Sequence, residues 1–299
     1  METSGNPSAS RTDQRQHLPD LMIDPIICFG EALWDLLPSG PRPGGAPLNV
    51  AVRLRRLGRS SVPVSSVGAD EPGDRLLDLI AREGVPLHGI TRQVDRATGT
   101  VRVRFDHDGS PSYDIDEPAA WDRIVPSPPV VDDARAAVGI VYGTLAQRSP
   151  DNRSVLARLL DLVPPDALRA FDANLRHPYD APDLFWELAR ASTVIKLNGD
   201  ELDALCGAGD VELRAREIAT AARGAIVCVT LGGEGAGILR EDVWTRRGAE
   251  PVEVVDTVGV GDAFMAALVD GLLDGRRTDA LLGRAVHVAG CVAARKGAW

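Results

Sequence analysis

Short apolar runs alternate with longer segments of helical period along most of the chain. Residues 26–30, "IICFG", are apolar throughout and end in glycine, the pattern of a strand buried on both faces. The segment 46–58, "APLNVAVRLRRLG", then sets Leu48, Val52, Leu54 and Leu57 on one helical stripe and stops at Gly58. The same rhythm predicts strands over 61–68, 137–143, 167–174, 193–198 and 225–232. Helices are predicted over 73–84, 149–163, 182–191, 199–207, 211–224, 261–275 and 277–297. Strands alternating with helices of this length imply right-handed crossovers and a mostly parallel sheet flanked by helices. The expectation is an α/β, doubly wound domain whose ligands sit at the carboxyl ends of the strands.

One stretch breaks the rhythm. In 98–117, "TGTVRVRFDHDGSPSYDIDE", Val101, Val103 and Phe105 alternate with Arg102 and Arg104, "HDGS" makes a turn, and Tyr113 and Ile115 alternate again. This is a two-sided hairpin placed outside the main sheet.

Composition narrows the class without naming a function. The 299 residues are 44% hydrophobic and 25% charged, ordinary for a globular chain with ample core. A net charge of −10 argues against nucleic-acid and anionic-membrane partners, because the long-range field repels phosphate. No apolar run reaches the roughly 18 residues of a membrane span. Residues 1–24 are polar, lack an apolar signal core and read as a disordered tail. The four cysteines, Cys28, Cys206, Cys228 and Cys291, form no paired motif and read as free buried thiols of a reducing cytoplasm. The five histidines are scattered and none is assigned to a metal or to catalysis.

The candidate chemistry starts at 256–264, "DTVGVGDAF". Gly259 and Gly261 let the backbone pass close to a ligand, and the helix that follows contributes its positive end. With Val260 between them they form an anion hole suited to a phosphoryl group. A carboxylate beside such a hole is a poor choice for binding alone. Asp262 makes sense there as the acceptor of a proton from an attacking hydroxyl, and an aspartate of ordinary low pKa suffices because that proton moves late. The alternative is a plain helix cap.

"DTVGVGD" resembles the D-T-x-G-A-G-D motif of the PfkB, or ribokinase-like, carbohydrate kinases, with Val260 in place of the usual small residue. Other segments match that family in order: the fructokinase-type start over 29–58, "VGADEPGDRL" (67–76), "DANLR" (172–176) with Ala173 for proline, "NGDE" (198–201) and "VTLGGEGA" (229–236). The resemblance spans about 26–298. It implies one ribokinase-like kinase domain over 25–299, with a small β-sheet lid from about 33–43 and 98–117 that excludes water from the reaction. Trp34, Tyr113 and Trp121 are candidate apolar contacts of that lid.

The resemblance further implies an ATP-dependent sugar kinase, a phosphotransferase with an alcohol acceptor. Its catalytic group comprises Asp262, the Gly259–Val260–Gly261 turn and Arg176, whose guanidinium fork suits a transferred phosphoryl group. Asp35, Gly44, Gly45, Asn49 and Asn174, with Asp262, would hold the sugar, since a carboxylate and an amide can grip vicinal hydroxyls. Thr230, Gly232 and Gly235, with Gly261 and Asn198, would approach the nucleotide. Asn198 and Glu201 would organise the water shell of Mg²⁺ on the ATP phosphates, though their spacing is also that of a capping box. Asp256 and Val258 would contribute to a K⁺ site. Family members continue past the Gly-Ala that here precedes Trp299, so that site is expected to lack its last ligand. The expected partners are a small sugar and ATP, with a homodimer formed through the lid and a cytoplasmic setting. D-fructose is the expected sugar, with ribose or 2-keto-3-deoxygluconate as alternatives within the same chemistry. A non-catalytic sugar- or nucleotide-binding regulator on the same fold is the rival of another class.

Overall fold

A computed structural model describes residues 24–105 and 111–299. All of the polar tail but Asp24, the hairpin turn at 106–110 and the Tyr113 side chain lie outside what it describes.

The chain enters through β1 (Ile26–Phe29) and turns back and forth in β2 (Leu33–Leu37) and β3 (Gly40–Gly44) before α1 (Ala46–Arg56). It continues through β4 (Ser61–Gly68), α2 (Glu71–Arg82), β5 (Ile90–Gln93), β6 (Gly99–Phe105) and β7 (Pro111–Ile115). Next come α3 (Pro128–Ala136), β8 (Gly139–Gly143), α4 (Pro150–Leu162), β9 (Leu168–Asp172), α5 (Pro182–Arg190) and β10 (Val194–Asn198). The last third comprises α6 (Gly199–Cys206), α7 (Val211–Ala221), β11 (Ile226–Thr230), β12 (Ala236–Arg240), β13 (Val243–Arg247), α8 (Val260–Leu273) and α9 (Thr278–Ala293). Proline stands in the first turn of each of α1 to α5, where its missing N–H costs nothing.

Among the described residues, nine strands form one sheet in the order β13-β12-β11-β10-β9-β8-β1-β4-β5. It is parallel except at β11-β12 and β12-β13. Residues of β1 alternate between its faces. Ile27 and Phe29 join the core shared with α3, α4, α5 and α7, whereas Ile26 and Cys28 join the core shared with α1, α8 and α9. Chain direction across the sheet reverses between β1 and β8, the switch point at which such folds open a crevice.

A second sheet, β3-β2-β6-β7, stands apart from the first. Its odd-numbered positions Leu33, Asp35 and Leu37, with Val101 and Ile115, face the main cleft. Trp34 and Leu36, one residue out of phase, pack the other way against Leu48, Val52 and Leu76. The aromatic residues considered for lid contacts are packing groups: Trp34 donates its indole N–H to Pro72 O, and Trp121 is fully buried beside Leu33, Val101 and Leu145.

Four elements were not expected from the sequence. β5 and α3 follow prolines and short polar runs that hide their period, and β12 and β13 lie in a stretch rich in glycine and arginine. The thiols also divide: Cys28 and Cys228 are buried, but Cys206 is only half-buried and Cys291 is exposed on α9. A helix has an outer face even where its sequence is largely apolar, and Cys291 falls on it.

The hairpin β12-β13 explains the glycine within its first strand. A Cβ on Gly237 would lie 2.1 Å from the Trp244 ring, which lies against the strand at that position. Gly237→Val is expected to destabilise the protein by about 1–3 kcal/mol through this overpacking. Urea unfolding checks it, with a lower midpoint at unchanged slope as the expected result.

Candidate active site

The carboxyl ends of β1, β8, β9, β10 and β11, the N-terminus of α8 and one face of the second sheet enclose a cleft of about 1380 Å³. Pockets for a single small ligand usually occupy roughly 300–1,000 Å³, so this one has room for two.

Asp262 lies half-buried on the cleft floor, in the first turn of α8. Asn49 Nδ2 donates to its Oδ2 at 2.7 Å, tying α8 to α1. Burial pushes the Asp262 carboxyl above its usual range, while the Asn49 bond and the charges of Lys196, Arg176 and Arg53 pull it down. This corrects the expectation of an ordinary low pKa. The helix end and nearby cations do favour the charged form, but the loss of hydration outweighs them.

The turn before Asp262 is held open. Gly259 is the N-cap of α8 at φ +76° and offers no side-chain cap to the first N–H groups of the helix. A Cβ there would also lie 2.3 Å from Ala298 Cβ. Gly259, Val260 and Gly261 all line the cleft. The Lys196 ammonium comes within 3.0 Å of where a Cβ on Gly261 would sit. The geometry is that of an anion site: uncapped N–H groups, a helix dipole and a buried cation.

Lys196 had not been singled out from the sequence. It is buried on β10 and pairs with Asp172 through both carboxylate oxygens, at 2.9 and 3.0 Å. Burial alone would lower its ammonium, but Asp172, Glu201 and Asp262 together hold it above its ordinary value, so it stays charged. A lysine inside the otherwise apolar strand "TVIKLN" is the signal that could have found it.

The second sheet brings Asp35, on β2, over the cleft, with Gly44 at its back: a Cβ on Gly44 would lie 2.2 Å from Asp35 Oδ2. Gly45, the N-cap of α1, has φ +105°, and a Cβ there would lie 2.2 Å from Glu31 O. Glu31 was also passed over in the sequence, though it directly follows the glycine that ends the first predicted strand. It is buried, its Oε1 accepts from Ala46 N at 3.1 Å, and its Oε2 has no partner among the described residues. Burial raises Glu31 to about 6, and raises Asp35 to about 7 with help from the charge of Asp262, while Arg176 opposes both rises.

Asn174 and Arg176 follow β9 and line the cleft. Asn174 sits at φ +37°, a conformation asparagine tolerates better than most residues. Thr230, Gly232 and Gly235 line the far end of the cleft beyond β11. Asn198 and Glu201 line it too, and they form a complete capping box on α6: Asn198 Oδ1 accepts from Glu201 N and Glu201 Oε2 accepts from Asn198 N, both at 2.8 Å. Glu201 Oε1 accepts from Leu175 N at 2.9 Å, so both its oxygens already serve backbone amides. Asp256 is similarly engaged, accepting from Val258 N at 3.0 Å and Gly297 N at 2.9 Å. Of the sequence-predicted residues, Gly44 alone backs the cleft wall rather than lining it.

A doubly wound sheet with an acid at an uncapped helix end is an arrangement suited to phosphoryl transfer. The profile of the pfkB family of carbohydrate kinases matches residues 40–299, and the chain belongs to that family. It is 30% identical over 263 residues to a fructokinase of Solanum tuberosum, covering 83% of this chain and 81% of the other. Among solved structures, fructokinase of Xylella fastidiosa with bound ATP is similar at 25% identity and TM-score 0.78, covering 93% of this chain and 94% of the other. A sugar kinase of Pyrococcus horikoshii in complex with ATP is similar at 26% identity and TM-score 0.77, covering 92% and 94%. The protein is thus a pfkB-family sugar kinase, an enzyme that phosphorylates an alcohol group. Among the described residues no helix is long and apolar enough to cross a membrane.

The raised carboxyl of Asp35 has a consequence for stability. A folded-state pKa above the unfolded one means that the native state holds the proton more tightly, so Asp35 costs stability as pH rises from about 4 to about 7. In the ligand-free protein, Asp35→Asn is expected to be more stable than wild type at pH 8 by about 1–3 kcal/mol, with the difference shrinking toward pH 4. Thermal unfolding of both proteins across that range checks it.

Proposed function

We propose that this enzyme transfers the γ-phosphoryl group of ATP to the 6-hydroxyl of D-fructose, giving fructose 6-phosphate and ADP. The observation that carries the mechanism is the Asn49–Asp262 bond at the uncapped start of α8.

In this reading, the sugar lies between the second sheet and α1, with Asp35, Asn49, Asn174 and the backbone at Gly45 holding its hydroxyls and Gly44 leaving room behind Asp35. Glu31, with an unpartnered buried oxygen, joins them. Asp262 accepts the proton of the attacking hydroxyl. The sugar oxygen forms its bond to the γ-phosphorus while the bond from phosphorus to the bridging oxygen breaks, and ADP leaves with that electron pair. The N–H groups of the 259–261 turn hold the developing charge, and Arg176 and Lys196 balance it from either side. The raised pKa of Asp262 suits the role, because a base poised nearer neutrality takes a proton more readily.

ATP lies along the Thr230, Gly232 and Gly235 end. Mg²⁺, when bound, would neutralise its phosphates and keep most of its own waters. Asn198 and Glu201 fit contact through those waters better than direct ligation, since both Glu201 oxygens already accept backbone N–H groups. Asp256 and the Val258 carbonyl fit a K⁺ site on the same terms. The domain spans 25–299 with the second sheet as its lid, and the enzyme works in the cytoplasm as a homodimer joined through that lid.

Support for fructose comes from the fructokinase-type segment over 29–58, which carries Glu31, Asp35, Gly44, Gly45 and Asn49. It comes also from relatives named fructokinase at 28–30% identity. Coupled ADP release from Mg-ATP against fructose, ribose and 2-keto-3-deoxygluconate, with and without K⁺, tests the reading. The expected result is kcat/KM highest for fructose by at least about tenfold, the scale one well-made polar contact sets. A higher value for another sugar would overturn the assignment of substrate.

A further inference from the structure

We infer that Trp299 is a positioning residue for phosphoryl transfer: its indole N–H fixes the Asn49 amide in the orientation that donates to Asp262. The inference rests on the reading of Asp262 as the base.

Asn49 has one accepting end and one donating end, and the two look alike in shape. Left to itself the amide could turn either face toward Asp262. With Oδ1 toward the carboxylate, two acceptors would oppose each other. With Nδ2 toward it, the amide supports the charged form. Trp299 Nε1 lies 2.6 Å from Asn49 Oδ1, and an indole nitrogen can only donate. The atom facing it must therefore be the oxygen. Nδ2 is left to face Asp262 Oδ2, which it meets at 2.7 Å. A group with a single hydrogen-bonding option thus sets the direction of the whole relay from Trp299 through Asn49 to Asp262.

The segment around Trp299 is fastened at several points, so its indole is held rather than swinging. Ala298 O accepts from Arg53 Nε at 2.9 Å, with Nη2 of the same guanidinium on the same oxygen. Gly297 N donates to Asp256, whose other oxygen accepts from Val258 N in the anion-hole turn. The Trp299 ring packs on the cluster of Trp34, Leu48, Val52 and Leu76, behind Asn49. Trp299 does not line the cleft, so it acts through Asn49 and not on a ligand.

Trp299→Phe keeps the aromatic packing and removes only the donor. With the sugar that wild type turns over, kcat/KM is expected to fall about tenfold. The acid limb of its pH profile is expected to move up by up to about one unit, because charged Asp262 loses support. In an Asn49→Ala background the same substitution should change neither quantity, as the relay is already cut. A merely structural tryptophan would give equal losses in both backgrounds, and that result, or a wild-type profile in Trp299→Phe, overturns the inference.

A second readout needs no turnover. The chain has five tryptophans, and the indole N–H cross-peak lost in Trp299→Phe identifies that of Trp299. In Asn49→Ala this peak should move upfield as its acceptor disappears. A peak unmoved by Asn49→Ala overturns the inference however well Trp299→Phe folds. Wild type that turns over no sugar would instead contradict the assignment of Asp262, while the cross-peak would still report the bond.

Discussion

A carboxylate set into the floor of a cleft loses part of its hydration, and the surroundings must replace it. That constraint organises this active site. Asp262 shares the cleft with Glu31 and Asp35, Asp172 lies buried at the end of β9, and the charge of Asp262 disfavours ionisation of all three. Against them stand Lys196, locked to Asp172, together with Arg176 and Arg53. The positive end of α8 and the Asn49 amide do the rest. Burial moves the carboxyls of Glu31 and Asp35 toward neutrality, to about 6 and about 7. Carboxylates crowded into one cleft with raised pKa values are the pattern of a functional site, where charge is placed at a cost to stability.

The fold supplies this arrangement economically. Glu31, Asn174 and Asn198 stand at or just beyond the carboxyl ends of the parallel strands β1, β9 and β10, so the sheet sets their spacing, while α8 and α1 bring in Asp262 and Asn49. The second sheet hangs beside this frame by the short links 30–32 and 45, and it carries Asp35 on the same strand that packs Trp34 inward. Gly45 makes that link sharp enough to begin α1 at once, which in turn places Asn49 one turn in, facing Asp262. On the proposed reading, the sugar side and the phosphoryl side are thus joined through a single helix.

Much of this was legible in the residues. The strand–helix rhythm reports burial directly, and the glycine-framed Asp262 reports a helix start that avoids a side-chain cap. What was hidden follows a pattern. β12 and β13 lack apolar alternation because Gly237 lies against Trp244 and arginines fill the solvent face. Lys196 and Glu31 were hidden because each is a single charged residue beside an apolar run, and its partner, Asp172 or the Ala46 amide, is remote in sequence. The Trp299–Asn49 bond spans 250 positions, and no local pattern can encode it. The low pKa expected of Asp262 failed for the same reason: motif and spacing carry the residue type, while hydration depends on everything packed around it.

The most direct test of this account is Asp262→Asn, which keeps the shape and removes the charge. Turnover of the preferred sugar should fall by about 10²–10⁴, the range that a positioned base contributes, while ATP affinity measured by calorimetry stays within about threefold of wild type. Retention of more than about a tenth of wild-type turnover with intact ATP binding would contradict the role of Asp262 as the base, and with it the reading of the cleft as built around that carboxylate.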